Sequence, residues 1–357
     1  MHDEHKDRYR QFSVQLTVAS PTRSAVALRR RPLDAGRPAY DDRRVSGPVS
    51  TLDAPGAGAE HGDAAPPCVE VSDSRESRVG RVRVRRALPR RGRRTVGAWC
   101  FADHAGPERV TPTEGLDVGP HPHTGLHTVT WLVSGEVLHR DSLGSEQPIR
   151  PGQLNLMTAG HGIAHAEEAV RTYTGELHGV QLWVAQPEAT RHGAPAFEHH
   201  GELPRVELGS SELTVLVGSV AGATSPARAD SPLLGVDAVL GRGTTTWPLD
   251  PAHEHAVVVV EGAVAIGDHV VRPGQLGYLG QGRDELPLTA DERTRLLLLG
   301  GEPFPEPVLM VWNFVARTRE EVDAARAAWA SADERFGETG SHLPRIPAPP
   351  VPWAARG

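Results

Sequence analysis

The sequence predicts an all-β protein built from two similar domains in tandem and followed by a single C-terminal helix. Three observations carry that expectation. The 357 residues include Gly 38 and Pro 31, a content that interrupts long helices and supplies tight turns. From about Val69 onward, apolar and polar residues alternate with the period of half-buried strands. The second half also repeats the first. VVVVEGAVAIGDHVVRPGQLGYLG parallels TVTWLVSGEV followed by IRPGQLNLMTAG, and Arg-Pro-Gly-Gln-Leu stands at both 150–154 and 272–276. Self-similarity of this kind marks a duplicated structural unit.

Residues 1–66 come first and carry no sustained period. The stretches SAVALRRRPLDAGRPAYDDRRV and TLDAPGAGAEHGDAAPP cannot bury enough apolar surface to order themselves, so a disordered extension is expected. The run Arg29-Arg30-Arg31 reads as a solvated tail ahead of a nucleic-acid or membrane contact. A start assigned too far upstream would also account for this segment, and it is given no function.

Residues 67–190 form the first expected β domain. RVRVRRAL and TVTWLVSGEVLHRD alternate, Gly135 turns between two period-2 runs, and a Pro-Gly turn feeds LNLMTAG. LHGVQLWVAQP closes this half near Pro187. A charged, His-containing stretch at 191–211 reads as a linker, and 212–315 as the second β domain. In 316–357, Thr318 and Glu321 form a capping box. Val322, Ala325, Trp329 and Ala332 supply an apolar stripe, and Gly337 supplies a stop. The Pro-rich RIPAPPVPW is expected to drape over a barrel.

Composition excludes several classes. A formal net charge of −7 gives no global attraction to nucleic acid or anionic membrane, and neither is expected as a partner. Cys68 and Cys100 are the only two cysteines, too few for a disulfide framework or a Cys-rich zinc module. No apolar run approaches the roughly 18 residues of a transmembrane helix. The charged N-terminus lacks the apolar core of a signal peptide, so a cytoplasmic location is expected.

Eight of the 18 histidines lie between His104 and His178, which concentrates candidate chemistry in the first repeat. His121 and His123 in GPHPHTG, and His165 and Glu167 in GIAHAEE, are each spaced i, i+2. On a strand that spacing puts both side chains on one face. Two facing strands of this kind would gather three imidazoles and one carboxylate around an ion, a set that suits Fe(II), Ni, Cu, Mn or Zn. Taken singly, each pair also fits a strand start or a surface pair; their occurrence in one β-rich repeat favours the metal. Aligning the repeats puts Pro248, Asp250, Pro287 and Thr289 at the matching positions. His253-Glu254-His255 falls five residues out of register, so one metal site in the first half is expected.

The strings GAWCFADHAGP, HPHTGLHTVTWLVSGEVLHRDSLGS, LNLMTAGHGIAHAEE, LHGVQLWVAQP and VWNFVAR resemble the pirin family of bicupins. The resemblance runs from about Val69 to about Trp353. It implies two tandem cupin barrels (double-stranded β-helix, or jelly-roll) and one divalent metal per chain, Fe(2+) by family pattern, held by His121, His123, His165 and Glu167. Many pirin-like sequences carry Glu or Gln where this one has His127, and the N-terminal extension lies outside the family pattern. By parity His127 is read as supporting the ligands from behind, with an additional ligand or a buried structural His as alternatives. His161 is a pocket-mouth candidate or a solvated loop residue. Glu168 should point away from Glu167's face, Cys100 should lie in the core, and His139, Arg140 and Asp141 read as a polar network that holds the hairpin.

The resemblance further implies quercetinase-type activity, in which a flavonol-like substrate bound through its hydroxyl and carbonyl oxygens is cleaved by O2. Glu167 is then the candidate catalytic base. The alternative is an iron-dependent, redox-sensing regulator or transcriptional cofactor that acts through a protein partner. Because the chain already holds two barrels, a monomer is expected.

Overall fold

The computed structural model describes residues 69–354, so the expectation for 1–66 lies outside the described residues. Among the described residues strands dominate, with one α-helix at Arg319–Ala330. The repeat in the sequence corresponds to a repeat in architecture. A seven-stranded sheet runs in the order Ala196–His200, Leu154–Thr158, Leu126–Ser134, Gly175–Ala185, Trp99–Val110, Val82–Leu88 and Arg75–Val79. It is accompanied by a four-stranded sheet of Val118–His123, Ile163–Ala169, Val137–Asp141 and Glu146–Ile149. The second half repeats this seven-plus-four arrangement. Its large sheet is Glu70–Asp73, Gln275–Gly280, Glu254–Glu261, Thr294–Gly301, Leu233–Leu240, Ser211–Val217 and Arg205–Leu208. Its small sheet is Gly243–Pro248, Glu285–Ala290, Val264–Ile266 and His269–Val271.

The duplicated pentapeptide builds the same turn in each barrel. Gly152 and Gly274 sit at φ 83° and 87°, the left-handed third position of a turn whose second position is proline. The amides of Gln153 and Gln275 donate back to the carbonyls of Arg150 and Arg272. Each Gln side-chain oxygen then accepts its own Arg amide, at 3.0 and 3.1 Å.

The outermost strands cross the expected boundaries. Glu70–Asp73, expected with the first domain, pairs with Gln275–Gly280 of the second barrel, Glu70 opposite Tyr278. The expected linker contains two strands: Ala196–His200 joins Leu154–Thr158 of the first barrel, and Arg205–Leu208 joins Ser211–Val217 of the second. AFEHH is half-buried along its whole length, so its sequence lacks the alternation that would announce a strand.

The two large sheets share one apolar layer, in which Trp99, Trp131, Leu156 and Leu182 of the first barrel meet Ala256, Val258, Leu297 and Leu299 of the second. Trp99 is fully buried, and its indole N–H lies 3.0 Å from the Leu234 carbonyl of the other barrel. The second barrel's interior is a continuous apolar cluster that includes Trp247, Leu286 and Leu288. The first barrel's interior splits into one cluster around Phe101, Met157 and Trp183 and another around Val82, Leu132 and Leu177.

After the second barrel the chain returns to the first. The hairpin Leu309–Val311 and Phe314–Ala316 bridges Thr124 through Phe314. The helix starts as expected at Thr318, whose hydroxyl accepts the Glu321 amide at 3.2 Å. The Glu321 carboxylate reaches back one residue further than a capping box, to the Arg317 amide at 2.8 Å. Val322, Ala325 and Trp329 are buried, whereas Ala332 lies beyond the helix at φ 55°. The tail is held by its own backbone: the Ile346 amide donates to the Pro120 carbonyl, and the Trp329 indole donates to the Ile346 carbonyl at 2.8 Å. No helix among the described residues is long and apolar enough to cross a membrane.

Candidate metal centre

Val118–His123 and Ile163–Ala169 run antiparallel, with His165 directly opposite His121 and Ile163 opposite His123. Alternation aims all three histidines into the first barrel, where they are 1–3% exposed. One ring nitrogen from each lies within 4.8 Å of the others. His121 and His165 have ring centroids 4.3 Å apart, and His123 and His165 4.9 Å apart.

Hydrogen bonds on the outer side of the cluster fix where the protons are. His121 Nδ1 lies 2.9 Å from the Gly119 carbonyl, and His123 Nδ1 3.1 Å from the Asn313 carbonyl. A carbonyl only accepts, so both Nδ1 atoms carry hydrogen and both Nε2 atoms present lone pairs. His165 Nδ1 faces His139 Nδ1 at 3.4 Å. The Nε2 atoms of His123 and His165 stand 3.1 Å apart in the centre. Burial is the main reason the imidazoles stay neutral: it lowers His121 to about 4 and holds His123 and His165 well below the ordinary value, with neighbouring imidazoles reinforcing the latter two. Neutral, buried nitrogens with converging lone pairs are the donor set a borderline divalent ion takes, at roughly 2.0–2.1 Å from each nitrogen for zinc. The histidine trio could therefore hold a metal.

Glu167 lines the same cavity as the trio but stands outside the group that lies within 4.8 Å. A register irregularity falls between His165 and Glu167, moving the latter opposite Val118, and such a bulge re-aims a side chain. Burial pushes its carboxyl up to about 7. The cavity encloses about 70 Å³ and sits between the two halves of the split core. Its walls are apolar, with Val82, Leu132, Leu177, Phe101 and Trp183 prominent. Asp103, Thr130 and Gln181 add polar groups on the large sheet. Asp103 is held by Arg86 through two hydrogen bonds of 2.7 Å.

The remaining candidates fall elsewhere. His127 bonds Thr158 Oγ1 at 2.9 Å and Asp230 Oδ2 at 3.1 Å, with no bond to the trio. The expectation that it supports the ligands fails because the chain turns at Gly125 into the other sheet, where strand parity no longer refers to the same interior. His161 is exposed and bonds the Gly193 carbonyl. Glu168 points away from the cavity toward Arg140, at 3.5 Å. Cys100 is fully buried, and burial raises its thiol to about 12. In the second barrel, Pro287 and Thr289 face outward, and the inward positions on that strand are Leu286 and Leu288. His253 and His255 lie with ring centroids 5.9 Å apart.

Two features were not assigned to the centre from the sequence. The Asn313 carbonyl belongs to the VWNF turn, whose string carries the family resemblance without disclosing this contact. His139 and Asp141 do hold the hairpin, since Asp141 accepts the Leu143 and Ser145 amides, but they also reach His165. Their i, i+2 spacing on one strand was the available signal. Burial pushes the Asp141 carboxyl up, but hydrogen bonds from His139 and Ser145 outweigh it and hold the group below its ordinary value.

The chain is similar to known proteins in both sequence and fold. The Pirin family model matches residues 81–184, and the Pirin C-terminal cupin domain model matches 236–337. A Pseudomonas aeruginosa protein provisionally named quercetin 2,3-dioxygenase is 49% identical over 276 residues, covering 77% of this chain and 87% of its own length. A pirin-like protein of Caulobacter vibrioides is 36% identical over 286 residues, covering 78% and 98%. The crystal structure of quercetin 2,3-dioxygenase from Acinetobacter baumannii superposes with a TM-score of 0.77 at 44% identity, covering 80% of this chain and 96% of that one.

Proposed function

The chain belongs to the pirin family of tandem cupins, and we propose on that premise that it is an iron-dependent flavonol dioxygenase of the quercetinase type, with His121, His123, His165 and Glu167 as the metal's ligands. One observation carries the reading: one ring nitrogen from each of three buried histidines converges in an apolar cavity that the buried Glu167 carboxyl also lines. When bound, such an ion supplies a Lewis acid for an enol hydroxyl and a redox partner for O2.

The chain's own groups divide the remaining work. The three imidazoles hold the ion, with the outer N–H groups of His121 and His123 tied to Gly119 and Asn313 and His165 Nδ1 set against His139. Phe101, Trp183, Leu132 and Leu177 exclude water and match the face of an aromatic ligand. A carboxylate oxygen of Glu167 takes the proton that leaves the ligand's hydroxyl, so Glu167 serves in turn as ligand and as base. The cavity holds about 70 Å³, less than the roughly 300–1,000 Å³ of most ligand pockets, so the site would have to open for a whole three-ring ligand.

The same small volume favours a second reading, in which the centre senses redox state and acts through a protein partner. Oxygen uptake separates the two. Anaerobically purified, iron-loaded protein should consume O2 on addition of quercetin, and the His165→Ala variant should not. No uptake despite one bound iron per chain would overturn the enzyme reading in favour of the regulatory one.

A further inference from the structure

We infer that Asp141 and His139 form a hydrogen-bonded relay that sets the tautomer of His165 and so keeps its Nε2 lone pair aimed at the metal position. The inference rests on the reading of the trio as metal ligands, and it concerns positioning residues that never touch the ion or the substrate.

The assignment follows from counting donors and acceptors. Asp141 Oδ1 accepts two backbone amides, from Leu143 at 2.9 Å and Ser145 at 3.0 Å. Its other oxygen, Oδ2, lies 3.0 Å from His139 Nε2. An ionised carboxylate only accepts, so a neutral His139 carries its proton on Nε2 and its Nδ1 is bare. That bare nitrogen faces His165 Nδ1 at 3.4 Å, so His165 is the donor between them when both rings are neutral. In this assignment the His165 proton sits on Nδ1 and its Nε2, 3.1 Å from His123 Nε2, is a lone pair like those of His121 and His123, whose protons are fixed by backbone carbonyls.

The scaffold makes the chain rigid. In the strand pairing Asp141 stands opposite His165, and His139 opposite Glu167. Phe197, from the strand Ala196–His200, stacks on the His139 ring at 4.5 Å between centroids and 13° between planes. Stacking against Phe197 and the bond to Asp141 together oppose a flip of the His139 ring. Carboxylate and histidine groups behind a ligating imidazole fix its tautomer and raise its basicity, and losing them costs about 10–100-fold in metal affinity.

Asp141→Asn tests the relay without changing volume. Its side-chain oxygen stays with the two backbone amides, so the amide nitrogen faces His139 Nε2 as a donor. His139 is then driven to carry hydrogen on Nδ1, and His165 to carry it on Nε2, where the metal belongs. Titration of the metal-free full chain with Co(II), followed by its visible absorption, should show affinity about 10–100-fold weaker than wild type. His139→Phe keeps the stack and removes the acceptor without imposing the wrong tautomer, so its loss should be smaller. Nitrogen-15 spectra of the wild-type imidazoles, which need no variant to fold, should report hydrogen on Nε2 of His139 and on Nδ1 of His165. The opposite tautomers, or an Asp141→Asn affinity within twofold of wild type, would overturn the relay alone. Wild-type protein that binds no Co(II) would overturn the metal reading and the relay with it.

Discussion

His123 and His165 hold their Nε2 atoms 3.1 Å apart inside the first barrel, a separation that two nitrogens bound to one ion can share. His123 Nδ1 lies against the Asn313 carbonyl, and His165 Nδ1 against His139 Nδ1. The outer contacts and the surrounding packing hold both rings with these nitrogens turned toward each other.

A divalent ion should therefore stabilise the folded chain directly, because the ligand arrangement exists only in the folded state. At an excess of about 100 Kd the gain is about 2.7 kcal/mol, read as a rise of several degrees in thermal midpoint. His165→Ala should abolish that rise, whereas His253→Ala and His255→Ala should leave it in place. Differential scanning calorimetry with and without added Fe(II) or Co(II) measures both, and an unchanged rise in His165→Ala would remove this residue from the proposed ligand set.

Glu167 separates binding from chemistry. The three histidines lie within 4.8 Å of one another without it, so Glu167→Gln should keep most of the metal. Loss of a general base lowers rates by about 10²–10⁴-fold, and quercetin-dependent O2 uptake should fall by that order. A rate equal to wild type in a metal-replete Glu167→Gln variant would exclude the base role.

Acid should destabilise the protein well above the ordinary carboxylate range. Burial lowers His104 to about 3 and His255 to about 4, against about 6.5 in an unfolded chain. Between those values the unfolded chain binds protons that the folded chain refuses, so stability is full above pH 6.5 and declines as pH falls. The decline is about 1.4 kcal/mol per pH unit per group, and it ends once the folded imidazoles are themselves protonated. Denaturant midpoints of metal-free protein from pH 7 to pH 4 should fall steadily. Replacing His104 with Gln should flatten the slope, and a slope unchanged by that substitution would show that His104 does not contribute it.

The inward-facing strands were the legible part of this protein. His121, His123 and His165 could be placed on one interior because period-2 alternation holds within a paired strand, and the repeated Arg-Pro-Gly-Gln-Leu could be aligned because it builds one turn twice. Legibility ended where alternation changed its reference frame. His127 follows the Gly125 turn into another sheet, and AFEHH lies half-buried on both faces and shows no period. Glu70–Asp73 sits near the N-terminal barrel in sequence yet pairs with the C-terminal one, a long-range choice that no local pattern encodes. The Asn313 carbonyl is a backbone group, and a backbone contact has no residue type to betray it.

The last prediction concerns how the C-terminal hairpin reaches the metal position. Gly125 has φ 68°, a left-handed conformation that favours glycine. A Cβ at Gly125 would lie within 2.3 Å of the Val315 carbonyl oxygen. The same hairpin carries Asn313, whose carbonyl holds His123 Nδ1 at 3.1 Å. Gly125→Ala must therefore push the hairpin outward and loosen the bond that fixes the His123 tautomer. Backbone strain costs about 1–3 kcal/mol, and the loosened imidazole should weaken metal binding by about tenfold, the lower end expected for losing such a support. Gly267→Ala is the matched control, since Gly267 also has positive φ, at 58°, but a Cβ there meets nothing within 4 Å. It should lose stability without losing metal affinity. Equal metal affinity in the two variants, measured by Co(II) titration, would show that the hairpin does not position His123.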